Sequence, residues 1–181
     1  TAEIAVLEAE GRTAEADEAR WSVFEGTLSA DALRTLIAKP PDFEDVVALD
    51  RAFDLAASHP DAMKGLSFLM NWPALREASD LVVSRRSELR GGHDDIPLWA
   101  SRLAARYPAA AVLLTRARAR ALVTLGRGIT QDAPGEAQEG GQVVDVLEAL
   151  AGGLDGDALV DDHASFVSEL QTLASPRRRR W

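Results

Sequence analysis

The chain has 181 residues, no cysteine and a formal net charge of −9, and its commonest residues are alanine (32) and leucine (23). The absence of cysteine excludes a disulfide framework, a thiol nucleophile, a cysteine-ligated zinc site and an iron–sulfur cluster. Because alanine and leucine lead the helix propensities, the composition predicts an all-helical protein of one ordinary domain.

The first helices in chain order are predicted at about 2–10 and 13–26, with a hinge at Gly11-Arg12 and Thr13 as an N-cap. Three further pairs follow, in which each second helix begins at a proline, the residue favoured at the first helical position. These prolines are Pro41, Pro73 and Pro108, and the shorter helices before them cover about 29–38, 60–71 and 94–106. Asp61 and the Asp94-Asp95 pair supply start signals for two of the shorter helices.

The three prolines are 32 and 35 residues apart, which is within the range of tetratricopeptide-like repeats. One helical hairpin leaves apolar surface exposed, whereas stacked hairpins bury it against their neighbours. We therefore predict an all-α fold, a right-handed α-α solenoid of about four to five helical hairpins.

The helical pattern weakens after Gly126-Arg127-Gly128, a triplet typical of a helix C-cap. An acidic, glycine-rich loop is predicted over 129–142, followed by helices at about 143–151 and 157–173 that would cap the array. The predicted organisation is one structural domain with a hairpin body over 1–128, this loop, and capping helices with a basic tail over 143–181.

The negative charge is concentrated in one segment. Residues 128–176 contain ten acidic residues and no lysine or arginine, whereas residues 1–127 are close to balance and residues 177–180 are four consecutive arginines. A block of like charge is typical of a solvated or disordered stretch. The other interpretation is that the basic tail folds back onto the acidic segment.

Four segments carry a distinctive pattern: Leu7-Glu8-Ala9-Glu10-Gly11-Arg12 with Ala16, Arg20, Trp21 and Phe24; Phe68-Leu69 with Trp72-Pro73-Ala74-Leu75; Arg106-Tyr107-Pro108-Ala109-Ala110-Ala111 with Leu113-Leu114 and Arg116-Ala117; and His163-Ala164-Ser165-Phe166-Val167 with Leu170, the terminal arginines and Trp181. In these segments the chain resembles the C-terminal part of a family of uncharacterised bacterial, mostly proteobacterial, proteins, known as a domain of unknown function. The resemblance is lost over 129–161. It implies a tetratricopeptide-like helical array in the cytoplasm and no reaction, cofactor or catalytic residue.

Histidine and carboxylates occur together in His93-Asp94-Asp95 and Asp161-Asp162-His163, which is suitable ligand chemistry for a divalent metal. Adjacent residues on a helix do not face one another, and acidic residues at a helix start are explained by capping, so we predict no metal site and no cofactor. The sequence contains no Gly-x-Ser-x-Gly, Ser-x-x-Lys or phosphate-loop motif. Trp21, Trp72 and Trp99 are interpreted as packing residues between helices rather than as ligand platforms.

Arginine gives the candidate site. Arg116, Arg120 and Arg127 fall on one stripe of the helix that begins at Pro108, and Arg102 and Arg106 lie one turn apart on the helix before it. If these faces line the concave side of the array, they form a groove for carboxylates or phosphates, because guanidinium binds both with two hydrogen bonds. The alternative is that these arginines reflect a bias in composition (18 arginines against 2 lysines) and pair with neighbouring acids.

The sequence therefore predicts a non-enzymatic scaffold in the cytoplasm that binds a protein or peptide partner and no membrane, with weak self-association as an open option. The alternative is an enzyme or small-anion binder with a pocket between hairpins. A third interpretation, nucleic-acid binding through Arg177–Arg180, is opposed by the net negative charge.

Overall fold

The computed structural model describes residues 2–38, 44–124 and 163–174, and within these ranges the chain forms helices and no strand, which confirms the all-α class. The α-helices are α1 (Ala2–Ala9), α2 (Thr13–Thr27), α3 (Ala30–Ile37), α4 (Glu44–Ala57), α5 (Ala62–Asn71), α6 (Leu75–Ser84), α7 (Ile96–Ala104), α8 (Pro108–Thr124) and α9 (His163–Ala174). A short 3-10 helix covers Arg86–Glu88.

The helix starts show which sequence signals were correct. Pro108 is the first residue of α8, and the carboxylate of Asp61 accepts hydrogen bonds from the N–H groups of Met63 and Lys64, as predicted for an N-cap. Thr13 is not an N-cap, because α2 is preceded by Arg12 and has no side-chain capping bond. The hinge is confirmed, since Gly11 adopts a φ of +72°, which favours glycine.

Pro73 does not start a helix, and the reason lies in the end of the helix before it. Trp72 is the C-cap of α5, and the N–H of Ala74 donates to the carbonyl of Leu69 at 2.7 Å. The chain thus satisfies the last carbonyls of α5 before α6 begins at Leu75.

Pro41, the Gly126–Gly128 triplet, the loop at 129–142 and the helix at 143–151 lie outside the described residues. The helix predicted at 157–173 is confirmed over 163–173.

Two compact units divide the chain, one over residues 1–78 and one over residues 79–181. In the N-terminal unit, α1 to α4 each pack on the next helix in the chain, and α2 also contacts α4. Its core contains Phe24 and Phe68, whose rings meet edge to face with centroids 5.3 Å apart. Leu33, Leu66 and Leu69 of the same unit are also fully buried.

In the C-terminal unit, the most extensive packing is between α7 and α8. α7 buries Ile96, Trp99 and Leu103, which follow helical spacing, and α8 buries an alanine-rich run that lets the two backbones approach closely. α9 also packs on α8. α8 is therefore the central element of this unit. Among the described residues, no helix has the length and apolar character that crossing a bilayer requires.

Candidate functional site

α8 carries three arginines, Arg116, Arg118 and Arg120, and each contacts a residue outside α8. The helix has 17 residues, begins with Pro108 and is rich in alanine, so it has strong local reasons to be helical. Its residues are buried on most sides, including Arg116, of which 3 % is exposed. A charged side chain at such a depth requires compensating contacts, because desolvation of the charge is costly.

Part of this compensation comes from Phe166 on α9. The guanidinium carbon of Arg116 lies 4.8 Å from the centroid of the Phe166 ring, and that of Arg120 lies 4.9 Å from the same centroid. Both distances are within the range of cation–π attraction. Phe166 is itself buried with Val112, Ala119 and Leu170, and Val123 packs against this cluster.

Arg120 also binds Glu169 with two hydrogen bonds, from Nε to Oε1 at 2.7 Å and from Nη2 to Oε2 at 3.0 Å. These bonds are the main reason that the pKa of Glu169 is lowered; partial burial opposes the shift, and the charges of Arg120 and Arg116 add to it. The carboxylate is therefore ionised at neutral pH and held in a fixed orientation. Two of the five predicted groove residues thus contact another helix of the same chain.

Arg102 and Arg106 are in a different situation. Arg102 lies in the last turn of α7 and Arg106 in the turn between α7 and α8, and both are exposed. Leu98, one turn before Arg102, is 50 % exposed. Within the described part of the chain, neither guanidinium forms an ion pair. Arg127, the fifth predicted residue, lies outside the described residues. We call Leu98, Arg102 and Arg106 the α7 face.

Arg118, which was not among the residues predicted from the sequence, anchors the loop before α7. Its Nη1 donates to the carbonyl of Gly91 at 3.2 Å, and its Nη2 lies 3.8 Å from the carboxylate of Asp94. Gly91 packs so closely on α8 that an added Cβ would lie 1.8 Å from the carbonyl oxygen of Ala117. No sequence signal indicates this contact, because the loop and Arg118 are 27 residues apart.

His93 and His59 both have local roles at a helix start. Nδ1 of His93 accepts from the N–H of Asp95 at 3.3 Å, and its ring stacks on Trp99, with centroids 4.6 Å apart. Nδ1 of His59 accepts from the N–H of Asp61 at 3.0 Å. Asp95 occupies the N-cap position of α7, but its side chain makes no capping bond. The capping expected from the Asp94-Asp95 pair is therefore not observed: the side chain of Asp95 makes no capping bond, and the carboxylate of Asp94 lies near Arg118 instead.

In the described ranges, no group of three or more histidine, aspartate or glutamate side chains is arranged to hold a metal ion. The side chains of Asp161, Asp162 and His163 lie outside the described residues. The packing role predicted for Trp99 is confirmed, since 1 % of it is exposed.

A cavity of about 400 Å³ opens in the N-terminal unit, and its lining residues are Ile4, Ala5, Glu8, Arg20, Val23, Ala32 and Thr35. Its polar wall is the buried guanidinium of Arg20, which pairs with Glu8 of α1 and, at 2.6 Å, with Asp17 of α2. The remaining wall is mostly aliphatic. Because two carboxylates already neutralise Arg20, this wall is poorly suited to a small anion, the ligand expected from the sequence for a pocket between hairpins.

Comparison with known proteins identifies a family. The model of a family described as "Family of unknown function (DUF6880)" matches residues 1–181. No curated protein and no solved structure matches the chain. The match therefore agrees with the resemblance to an uncharacterised family and supplies no activity.

Proposed function

We propose that this chain, which belongs to the family of unknown function DUF6880, is a non-enzymatic helical scaffold that binds an acidic segment of a protein or peptide partner on the α7 face. The proposal includes a tetratricopeptide-like array of hairpins. Support for the array comes from the N-terminal unit, where α1 to α4 each pack on the next helix and α2 contacts both α3 and α4.

The observation that carries the proposal is the pair of exposed arginines one turn apart, Arg102 and Arg106. Arg102 lies in the last turn of α7 and Arg106 just beyond it, where a positive charge stabilises a helix by about 0.3–1 kcal/mol. Within the described ranges neither guanidinium pairs with a carboxylate, so their donors remain available to a ligand. Each guanidinium offers a planar fork of donors that matches a carboxylate. The exposed side chain of Leu98 adds an apolar contact on the same face.

The backbone of α7 is also held in place by packing, which lowers the entropy cost of binding a partner. The opposite side of α7 buries Ile96, Trp99 and Leu103, and α7 packs on α8, so the backbone that presents Arg102 is held in place. Arg106 follows in the turn, where its N–H donates to the carbonyl of Leu103 at 3.2 Å. A preorganised face loses little entropy on binding an extended or helical segment. The expected ligand has two carboxylates spaced to reach both guanidinium groups and an apolar side chain beside them.

The test is selection from a displayed library of random 12-residue peptides on the wild-type protein, followed by affinity measurements on the selected peptides. We expect aspartate and glutamate to be enriched, and binding to weaken as salt concentration rises. The double variant Arg102→Gln/Arg106→Gln should lose roughly tenfold in affinity, since hydrogen bonds between charged groups contribute about 1.5–3 kcal/mol at best and less when exposed.

The matched control is Arg34→Gln/Arg76→Gln, which removes two positive charges from exposed positions of the N-terminal unit. This variant should bind the selected peptides like the wild type. Selection without enrichment of acidic residues, or equal affinity of the two double variants, would contradict the α7 face as the binding site.

A second candidate function, a small-molecule site or enzyme, is favoured by the cavity between α1, α2 and α3. Its volume is about 400 Å³, within the size range of ligand pockets. The variant Ala32→Phe would place a phenyl ring in this cavity and occupy part of it. If fragments that raise the melting temperature of the wild type no longer do so for Ala32→Phe, the cavity is the ligand site; shifts that remain unchanged in the variant exclude it.

A further inference from the structure

α9 contacts α8 through a short pattern of residues. Phe166, Glu169 and Leu170 lie at positions i, i+3 and i+4, so they share one face of α9. Phe166 and Leu170 are buried, and Glu169 binds Arg120 with two hydrogen bonds. Most of the other described side chains of α9 are exposed. The interaction therefore depends on three residues in a five-residue stretch.

The complementary surface is a continuous stripe along α8, which we call the α8 stripe: Val112, Arg116, Ala119, Arg120 and Val123. The small side chain of Ala119 leaves room for the phenyl ring, and two guanidinium groups lie beside that ring. The other side of α8 packs on α7, so the stripe is held by contacts that do not involve α9. It is thus a preformed surface for a helix.

α9 depends on this surface more than the surface depends on α9. It has 12 residues, a length at which an isolated helix is marginal in water. Its helical order therefore requires the apolar contacts of Phe166 and Leu170. This one-sided dependence is typical of a short helical ligand in a groove of a folded protein.

We propose that the α8 stripe is a recognition site for helices with the pattern Phe-x-x-Glu-Leu, that α9 is its resident ligand within the chain, and that a partner helix with this pattern takes the place of α9. The site differs from the α7 face in position and in ligand chemistry, so the two proposals stand independently. The α7 face selects an acidic segment, whereas the α8 stripe selects an aromatic residue with one carboxylate at a fixed distance.

The chemistry of the stripe explains each position of the pattern. The first position requires an aromatic ring, because two cations lie 4.8 and 4.9 Å from its centroid and an aliphatic side chain has no negative face to attract them. The position three residues later requires a carboxylate that spans Nε and Nη2 of Arg120. Leucine at the fifth position fills the apolar end of the stripe, where Leu170 is buried.

The experiment uses a fluorescein-labelled peptide with the sequence of residues 163–174 and the full chain with Phe166→Ala, which weakens the resident helix and leaves the stripe intact. Fluorescence anisotropy should show that the peptide binds this variant roughly tenfold or more tightly than the wild type, because a tethered ligand competes at an effective concentration on the order of 1 mM. The control Leu173→Ala changes an exposed side chain of α9 and should bind like the wild type.

Charge exchange tests whether the recognition is specific. A peptide with Glu169→Arg should bind the Phe166→Ala protein about fivefold more weakly, since a partly exposed ion pair is lost and replaced by repulsion. Adding Arg120→Glu to the protein should restore the affinity of this reversed peptide and weaken binding of the original peptide. Recovery of this kind requires direct contact and would not follow from a general loss of structure.

Two results would overturn the proposal: equal affinity of the peptide for the wild type and the Phe166→Ala variant, or no recovery of affinity in the charge-exchanged pair. Circular dichroism establishes that the variant retains its helices. If Phe166→Ala does not fold, Leu170→Ala opens the same site at its other buried residue, and the same affinity order is expected.

Discussion

Gly91 shows how a single residue sets the packing of the C-terminal unit. The loop before α7 rests on the backbone of α8, and a Cβ on Gly91 would lie 1.8 Å from the carbonyl oxygen of Ala117. Because that oxygen belongs to the backbone of a helix, it cannot move aside as a flexible side chain would. The loop must shift if any larger residue replaces Gly91.

We therefore expect Gly91→Ala to lower the free energy of unfolding by about 1–3 kcal/mol, the usual cost of overpacking. Gly92→Ala is the matched control, since a Cβ there meets nothing within 4 Å. It should be neutral or stabilising by about 0.4–1 kcal/mol, because alanine restricts the unfolded chain. Urea denaturation measures both, and similar values for the two variants would show that the close approach is absent.

The caps of α5 and α7 offer a second comparison between single residues. Asp61 accepts from two backbone N–H groups, whereas Asp95 occupies the same position in α7 without a side-chain bond. Asp61→Ala should lower the free energy of unfolding by about 1 kcal/mol. Asp95→Ala should change it by less than about 0.5 kcal/mol, since its capping bond does not exist. Thermal denaturation of the two variants distinguishes them, and an equal loss would mean that Asp95 caps α7 in solution.

At the level of elements, the docking of α9 depends on the ionisation of Glu169. Its pKa is lowered from the ordinary value of 4.5, mainly by the hydrogen bonds from Arg120. A carboxyl group with a lowered pKa stabilises the folded state above its unfolded pKa, and this contribution is lost as the pH falls through the folded pKa. Docking should therefore weaken as the pH falls below 4.5 and be unaffected between pH 6 and 8.

Amide hydrogen exchange of residues 163–174 measures this effect. The wild type should lose protection of these amides in acid, whereas Glu169→Gln should show weaker docking at neutral pH and little further change in acid. Arg120→Gln provides the control, because it should bring the pKa of Glu169 back toward its ordinary value. An unchanged pKa in that variant would show that Arg120 does not hold the carboxylate.

The helices themselves were largely predictable, and the contacts between them were not. The boundaries of α1, α2, α3, α5, α7 and α8 follow from apolar periodicity, caps and prolines, which are local signals. Arg120 and Glu169 are 49 residues apart in sequence, and Gly91 and Arg118 are 27 apart. No local pattern marks such partners. For the same reason the sequence placed Arg116 and Arg120 in a ligand groove, since it could not show that α9 lies against them.

For the molecule as a whole, the preference for arginine over lysine has a structural explanation in part. The chain has 18 arginines and 2 lysines. Among the described residues, Arg34 and Arg51 lie over tryptophan rings, and Arg116 and Arg120 lie over a phenylalanine ring. A planar guanidinium stacks on such rings and forms paired hydrogen bonds, whereas an ammonium group is a compact, strongly hydrated charge. Bias in composition is therefore an incomplete account of these four residues.

The difference between arginine and lysine predicts that the arginines placed in a groove by the sequence fall into two classes when they are replaced by lysine, which keeps the charge. Arg116→Lys/Arg120→Lys should lower the free energy of unfolding by about 1–2 kcal/mol, because lysine loses the paired bonds to Glu169 and the stacking on Phe166. Arg102→Lys/Arg106→Lys should change it by less than about 0.5 kcal/mol, since both side chains are exposed. Because net charge is the same in all three proteins, urea denaturation at two salt concentrations separates contact from charge. A similar loss in both variants would mean that Arg102 and Arg106 also have structural partners, and the α7 face would then lose its basis as a free binding surface.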